Sequence, residues 1–218
     1  MIEAVLNEEN KMFRDTVRRF SEKEIAPHVR EWESIGEYPE EYYRKISKMG
    51  FMGLLVPELY GGSGGTLIDL VILCEEMGRV GVSLPLTHIS ACCRTILNHG
   101  TEYLKRTYLP DMASGAKIGA YCQTEPEAGS DSGNMSSFAE KKGSYYLLNG
   151  RKVFISNAKI ASVFVVLAKT EKNLEKPSRG ISVFIVERNW PGVSIGKTEK
   201  LMGRHCSSLD EVIFEDVE

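Results

Sequence analysis

The stretch at residues 121–131 reads YCQTEPEAGSD, and the rest of the chain is best interpreted around it. Its first four residues have the pattern of a strand end, and the remainder forms a short polar loop. Pro126 lacks a backbone N–H, and Gly129 permits backbone conformations that other residues avoid. Such a turn can direct neighbouring N–H groups and hydroxyls at an anionic or carbonyl-rich ligand. On residue types alone, an ordinary strand-ending turn is the favoured interpretation.

The composition is that of a globular protein. The chain has 218 residues, of which 42% are hydrophobic and 26% charged, enough for one large domain or two smaller ones. Its 27 basic and 30 acidic residues are interspersed and give a net charge of −3, which argues against a nucleic-acid partner. No apolar run reaches the length of a membrane span, and the acidic N-terminus does not resemble a secretory signal.

The cysteine and histidine content predicts neither a disulfide framework nor a metal site. The five cysteines are odd in number and lack paired zinc-type spacing. They predict reduced, buried thiols in a cytoplasmic protein. His88 and His99 are each isolated from other plausible ligands, so packing or surface positions are favoured for both.

Helical patterns dominate the first half of the chain. Asn7 is a good cap for an amphipathic helix, and Pro27 is predicted to end it. A second helix is predicted from Pro39 to Gly50. Its buried face is predicted to carry three residues: Tyr43, Ile46 and Met49.

The middle of the chain contains a glycine-rich loop followed by further helices. The loop YGGSGG at 60–65 lacks both the GxGxxG spacing and the Lys-Ser/Thr of a phosphate cradle, so it is predicted to be a structural turn. Residues 66–80 are apolar almost all round and predict a helix that is buried on most faces. Two more helices are predicted at 85–98 and 101–109, with Pro110 closing the second.

Strand patterns begin near Gly115 and continue to the end of the chain. Residues 118–123 alternate as in a strand, and residues 145–155 read YYLLNGRKVFI, which predicts a hairpin that turns at Asn149-Gly150. Further strands are predicted at three ranges: 163–169, 181–187 and 209–214. A polar loop is predicted at 172–179. Because the predicted helices lie in the first half of the chain and the predicted strands in the second, the sequence predicts an α+β chain of two domains, hinged near Gly115.

Five motifs fall in one order along the sequence. They are PELYGG (57–62), YLPDMASG (108–115), TEPEAGSD (124–131), NGRKVFISN (149–157) and FEDV (214–217). Together they resemble the N-terminal and middle domains of the acyl-CoA dehydrogenase family over essentially the whole chain. The resemblance implies an N-terminal all-α helical domain at residues 1–115 and an antiparallel middle β-barrel domain at residues 116–218.

The resemblance also implies a reaction and its participants. The family uses FAD to remove hydrogens from the α and β carbons of an acyl-CoA thioester, with the β-hydrogen leaving as hydride to flavin N5. A carboxylate takes the α-proton, and an electron-transfer flavoprotein accepts the electrons. The protein's part is to position the cofactor and tune its charge.

Specific residues occupy the positions that contact the cofactor in the family. By resemblance, residues 121–124 face the pyrimidine side of the flavin, where the Thr124 hydroxyl meets developing negative charge. Gly129 and Ser130 lie where flavin and thioester meet, and Ser130 touches the CoA portion. Phe154 packs over the isoalloxazine, and the Ser156 hydroxyl reaches flavin N5. The expected cofactor-binding set is Tyr121, Cys122, Gln123, Thr124, Gly129, Ser130, Phe154, Ile155 and Ser156.

The sequence also departs from the family pattern. Gln123, His205 and Leu209 replace residue types usual in the family, so no role is assigned from the region around His205 and Leu209. No glutamate matches the motif of the catalytic base, and Glu125, inside the flavin loop, is not nominated because its family role is structural. The base is expected on a C-terminal helical domain or on a separate subunit, with the chain part of a homo- or hetero-oligomer.

Two other functions remain compatible with the sequence. One is a non-catalytic subunit that binds flavin or acyl-CoA weakly or serves only in assembly, which the missing base favours for this chain taken alone. The other is a flavin-dependent oxidase or monooxygenase on the same scaffold. Residues 91–97 are expected to form the helix that faces the acyl group.

Overall fold

The computed structural model describes residues 6–172 and 174–218. By their contacts these residues form two compact units. The first is the chain up to Ala116 together with Met202–Ser207, and the second is Lys117–Leu201 with Ser208–Glu218. Residues 1–5 of the predicted non-signal N-terminus, and one position of the predicted loop 172–179, lie outside the described residues.

The first unit is helical. Its α-helices are α1 (Glu8–Phe20), α2 (Val29–Ile35), α3 (Glu40–Lys48), α4 (Leu67–Arg79), α5 (Cys93–His99) and α6 (Glu102–Ala113). Asn7 caps α1 by accepting a hydrogen bond from the Asn10 amide, and Thr66 caps α4 in a reciprocal capping box with Asp69. Both caps satisfy backbone N–H groups that a helix start leaves without a partner.

Two prolines do not end helices as predicted. After α1 the chain continues through a π-turn at Ser21–Ile25 and a 3₁₀ turn at Ala26–His28 directly into α2. Pro27 lies in the first turn of that 3₁₀ segment, where a missing N–H costs little. Pro110 lies inside α6, close to its end. The prediction that these prolines terminate helices was therefore wrong.

The buried faces of two helices also differ from the predicted ones. On α3 the buried residues are Tyr42 and Ile46, whereas Tyr43 is half-buried and Met49 is 37% exposed. The helix α4 was predicted to be buried on most faces, but it leaves one apolar face exposed. That face carries Leu67, Ile68 and Val71. The segment predicted as one helix at 85–98 begins as a π-helical turn at Thr87–Cys92 and becomes α-helical only in α5.

The glycine-rich loop at 60–65 folds onto the preceding connector. Its N–H groups bond to backbone carbonyls, as in Ser63 to Gly53, Gly64 to Val56 and Gly65 to Leu54. A side chain at Gly62 would overlap the backbone of Val56. Because these N–H groups already donate hydrogen bonds to the preceding connector, they are not available to bind a phosphate. The structure therefore supports a structural turn.

The second unit is a mixed sheet. Its strands are β1 (Gly119–Cys122), β2 (Phe138–Lys142), β3 (Tyr145–Ser156), β4 (Val163–Lys169), β5 (Ile181–Glu187), β6 (Val193–Thr198) and β7 (Leu209–Val217). They pair in the order β1-β4-β2-β3-β7-β6, with β5 on β4. The pairs β1–β4 and β2–β4 are parallel. The predicted α+β chain, with an all-α helical domain followed by an antiparallel β-barrel domain, is confirmed in its order and class. The sheet is a strongly curled, mixed half-barrel, because β4 pairs in parallel with both β1 and β2.

The hairpin predicted at Asn149-Gly150 was wrong, because β3 runs straight through both residues. Gly150 pairs with Phe214 of β7, next to a register shift in the ladder. A side chain at Gly150 would overlap Ser137, so glycine is required here for close approach. The hairpin turn lies instead between β2 and β3, where Gly143 has a left-handed φ of 64°.

A core of small and branched side chains fills the second unit. Its members include Ala120, Cys122, Leu148, Ile155, Phe164, Val166, Val212 and Phe214. All five cysteines are free thiols, and each is buried except Cys74, which is half-buried. Across residues 6–172 and 174–218, no helix is long and apolar enough to cross a membrane.

Candidate functional site

The loop that follows β1 is fixed against the middle of β3. The Val153 N–H donates to the Thr124 carbonyl at 2.9 Å. Reciprocal backbone bonds between Glu125 and Ala128, at 2.9 and 3.2 Å, close the turn around Pro126 and its neighbour. These bonds satisfy the backbone of a loop that would otherwise leave buried groups unpaired. The predicted loop and the predicted strand motif are therefore direct neighbours.

A buried ion pair between Lys152 and Glu125 lies next to the hydrogen bond between Val153 and Thr124. Lys152 Nζ lies 2.7 Å from Glu125 Oε1, and the two side chains are 0% and 2% exposed. Lys152 also donates to the Gln123 carbonyl at 3.2 Å. The Glu125 carboxylate further accepts from the Ser136 N–H and hydroxyl and from the Ser137 N–H at 3.0 Å. Buried charges require this degree of compensation, and the pair has it.

The hydrogen bonds determine the ionisation of this carboxyl. Burial by itself raises the pKa of Glu125, but the hydrogen bonds from Lys152, Ser137 and Ser136 outweigh burial and lower the pKa to about 2. Burial lowers the pKa of Lys152, and the hydrogen bond and charge of Glu125 oppose that change. Glu125 is consequently ionised at neutral pH and stabilises the charged ammonium of Lys152.

Just beyond Lys152, β3 bulges and exposes an aromatic ring two residues further along the strand. The register with β7 shifts between Lys152 and Ile155. Phe154 within this bulge has a left-handed φ of 58°, and its side chain is 56% exposed. A bulky residue in this backbone region is an outlier, and bulges commonly redirect a side chain beside a functional site. The backbone of β3 therefore adopts an unfavourable conformation at Phe154, and the apolar ring is exposed to solvent.

The predicted site residues fall into three groups by exposure. The side chains of Cys122 and Ile155 are buried in the sheet core, so only their backbone groups can reach a ligand. The half-buried group is Tyr121, Gln123, Thr124 and Ser156, and the exposed group is Gly129, Ser130 and Phe154. The segments 121–125 and 152–154 are brought together. In the described part of the chain, Gly129 and Ser130 form no hydrogen bond to β3.

Gly129 does not use the conformational freedom that glycine permits. Its φ lies outside the left-handed region. A Cβ added at Gly129 would meet no heavy atom within 4 Å. The space beside this residue is open, which leaves room for a ligand to approach the backbone.

Lys152 was not predicted, and Glu125 was set aside as structural. The sequence contained a signal for Lys152. It follows Leu148 and Gly150 at every second position of β3, and residues at this spacing share one side of a strand. A lysine at an inward-facing strand position requires a buried anion. Which anion it pairs with depends on the tertiary structure, because Glu125 lies on a different segment.

The arrangement suits a flat, partly apolar ligand with polar edges. An exposed aromatic ring offers a stacking surface, and the nearby loop is held rigid by the ion pair and the Val153 bond. Among residues 6–172 and 174–218, no group of three or more His, Cys, Asp or Glu side chains is placed to hold a metal ion.

Comparison with known proteins matches the two units to two family models. The model described as "Acyl-CoA dehydrogenase, N-terminal domain" matches residues 7–116. The model described as "Acyl-CoA dehydrogenase, middle domain" matches residues 120–217. The matches together cover nearly the whole chain and meet close to the boundary between the two units.

Individual relatives agree with these matches. The chain is 41% identical over 216 residues to the short-chain specific acyl-CoA dehydrogenase of Clostridium acetobutylicum, covering 97% of this chain and 56% of that protein. The crystal structure of acyl-CoA dehydrogenase from Geobacillus kaustophilus is 39% identical, with a TM-score of 0.91, covering 97% and 56%. A glutaryl-CoA dehydrogenase from Mycobacterium smegmatis in complex with FADH2 is 27% identical, with a TM-score of 0.86, covering 99% and 54%. The chain thus spans about half the length of the relatives it matches.

Proposed function

Because the chain belongs to the acyl-CoA dehydrogenase family, we propose that it holds the isoalloxazine of FAD in an enzyme that dehydrogenates an acyl-CoA thioester. The proposal rests on the site described above and on the names of the relatives. One of those relatives is described as a complex with FADH2. The acyl-CoA substrate is inferred from the family as a whole.

The observation that carries the proposal is the exposed ring of Phe154 on a left-handed backbone. Strain of this kind costs about 1–3 kcal/mol, and residues that carry it cluster at active sites and ligand clamps. Exposing an apolar ring also forgoes the free energy of burying it. A planar aromatic ligand stacked on Phe154 accounts for both features.

The surrounding residues fit a flavin. In this proposal, the backbone of Gln123 and the hydroxyl of Thr124 contact the pyrimidine edge, and Ser156 contributes a hydroxyl on the side of Phe154. Gly129 leaves space for the ligand, and Ser130 contacts the CoA portion. Bound FAD supplies the acceptor for the hydride that leaves the β-carbon. The residues of the chain hold and orient the two reactants and direct hydrogen-bond donors at the ring.

The catalytic base is proposed to lie outside this chain. No residue of the 218 is assigned as the base, and Glu125 is unsuitable because its carboxylate is 2% exposed and already bonded to Lys152. We propose that a C-terminal helical domain or a separate subunit supplies it, within a homo- or hetero-oligomer. An electron-transfer flavoprotein is the proposed electron acceptor.

Two earlier predictions stay predictions within this proposal. Residues 1–115 are proposed to form the N-terminal domain, and residues 116–218 the middle domain. The cytoplasmic location, inferred from the cysteine content, is likewise proposed. Fractionation of cells that produce the protein would decide the location.

The test is a flavin titration of the purified chain, followed by its visible absorption spectrum without oxygen before and after butyryl-CoA is added. FAD binding would appear as a resolved flavin spectrum, and loss of the visible absorption band of the oxidised flavin on adding the thioester would show dehydrogenation. Binding without bleaching would support the flavin site and agree with a base supplied from outside the chain, whereas bleaching would show that the chain supplies a base itself and contradict that part of the proposal. Failure to bind FAD would contradict the proposal for this chain.

A matched pair of variants locates the site. Phe154→Ser removes the exposed ring, and Tyr145→Ser removes another exposed aromatic from the same strand, where Tyr145 is 44% exposed. The proposal expects Phe154→Ser to weaken FAD binding by about 10-fold, since a nucleic-acid base stacked on an aromatic side chain contributes roughly 1–3 kcal/mol and the flavin is a comparable flat heterocycle. Tyr145→Ser should leave the affinity unchanged. Equal effects of the two variants would contradict the assignment of Phe154.

A further inference from the structure

We propose that the buried Lys152–Glu125 pair is a positioning element that fixes the distance between the two walls of the flavin pocket. This inference rests on the proposed function, because the walls are defined by the residues proposed to contact FAD. Neither residue touches the ligand in this proposal. The pair acts through the backbone of the loop and the strand.

The contacts of the pair are with backbone that leads into the loop. The Lys152 ammonium bonds to the Gln123 carbonyl as well as to the carboxylate of Glu125. The carboxylate in turn bonds to the N–H groups of Ser136 and Ser137, which immediately precede β2. The pair therefore joins three chain segments: the end of β1, the approach to β2 and the middle of β3.

Three consecutive residues of β3 connect the pair to the exposed ring. Lys152 binds the loop through its side chain, Val153 binds the Thr124 carbonyl through its N–H, and Phe154 presents its ring. The register shift that re-aims Phe154 begins at Lys152. A displacement of Lys152 would move the loop wall and the aromatic wall together.

Stability alone does not account for the pair. Replacing a fully buried ion pair with apolar side chains of similar volume is often neutral or stabilising, because desolvation offsets the attraction. The side chains of Lys152 and Glu125 are 0% and 2% exposed, so both charges are almost completely removed from water and the desolvation cost is close to its maximum. What an ion pair provides and apolar packing does not is a fixed direction and distance for each bonded backbone group.

The test compares three variants of the full chain. Glu125→Gln keeps the shape of the side chain but removes its charge, and Lys152→Met removes the ammonium. The matched control is Glu76→Gln, which breaks the ion pair with Arg18 in the other compact unit, where the Glu76 side chain is also 2% exposed. Thermal unfolding and circular dichroism establish the folded fraction of each variant before FAD is added.

The inference expects a specific loss of flavin binding. In the folded fractions of Glu125→Gln and Lys152→Met, the FAD dissociation constant should rise roughly 10–100-fold, by analogy with the loss seen when the hydrogen-bond partners of metal ligands are removed. The bound flavin should also show an altered visible spectrum, which reports the polarity around the ring. Glu76→Gln should change neither. Unchanged affinity and spectrum in both pair variants would overturn the inference.

Amide hydrogen exchange separates this inference from the proposed function. If the unmodified chain binds no FAD, the proposed function fails for the chain, but the positioning role is still decided by exchange at Ala128, Ser136 and Val153. Faster exchange at these amides in Glu125→Gln than in Glu76→Gln would support the positioning role. Equal exchange would overturn it. The conservative Glu125→Gln variant keeps this readout available if Lys152→Met does not fold.

Discussion

The helical unit and the sheet unit each contain a buried glutamate in an ion pair, and the two pairs differ in what they hold. In the helical unit, Arg18 of α1 binds Glu76 of α4 through two hydrogen bonds of 2.9 and 2.7 Å. The Glu76 side chain is 2% exposed, but Arg18 is 37% exposed. In the sheet unit, both Lys152 and Glu125 are buried.

The difference shows that a buried ion pair can either connect two helices or hold irregular backbone in place. The arginine of the first pair keeps part of its hydration, and the pair connects the side chains of two regular helices. The second pair gives up hydration on both sides and bonds to the backbone at Gln123, Ser136 and Ser137. Backbone partners in irregular segments have no helix or ladder to hold them, so a buried charge there determines the loop conformation.

The largest expected effect is that of Lys152→Met. It leaves the Glu125 carboxylate buried without its cation, and breaking a buried pair in this way costs about 3–5 kcal/mol. Urea unfolding, followed by a probe of the sheet unit, measures the loss. A cost below about 1 kcal/mol would mean that Glu125 gains water or a proton once Lys152 is removed.

Acid should affect the sheet pair over a defined pH range. The pKa of Glu125 is lowered in the folded chain to about 2, from 4.5. A lowered carboxyl pKa gives stability that is complete above the unfolded value and lost as pH falls toward the folded value, so the loss spans pH 4.5 to about 2. The full contribution is roughly 3 kcal/mol. As pH falls across this range, the free energy of unfolding should decrease less steeply in Glu125→Gln than in the unmodified chain. Identical slopes would contradict the lowered pKa of Glu125.

Glu76→Gln should cost less than Lys152→Met. Arg18 is partly exposed and can recover water when its partner loses charge. The expected loss is roughly 1.5–3 kcal/mol, the contribution of a hydrogen bond to a charged group. Urea unfolding of the helical unit measures it. A cost equal to that of Lys152→Met would remove the contrast between the two pairs.

The smallest expected effect is a gain in stability. Phe154→Gly relieves the left-handed backbone, which costs about 1–2 kcal/mol for a residue with a Cβ, but it adds the chain entropy of glycine. We expect a net change between zero and about 1 kcal/mol more stable, together with weaker FAD binding. Tyr145→Gly, at an ordinary strand position, should instead destabilise. A clear loss of stability in Phe154→Gly would show that the ring contributes to packing.

Local sequence patterns predicted much of the fold. The cap at Asn7 and the ranges of β4 and β5 depend on residues close together in sequence, and they were predicted well. The Asn149-Gly150 turn was wrong because a local turn signal was overridden by pairing with Phe214. The bulge at Phe154 could not be predicted, because register shifts depend on the partner strand.

By itself, the sequence determined the α+β order, the family and the two segments at 121–131 and 149–157, because all of these are encoded in residue types and their spacing. Only the tertiary structure decided that Lys152 finds Glu125 and that Phe154 faces solvent on a strained backbone. The physical reason is that a buried charge and a strained backbone are tolerated only where several segments meet to compensate them. Such a meeting point is a property of the folded chain.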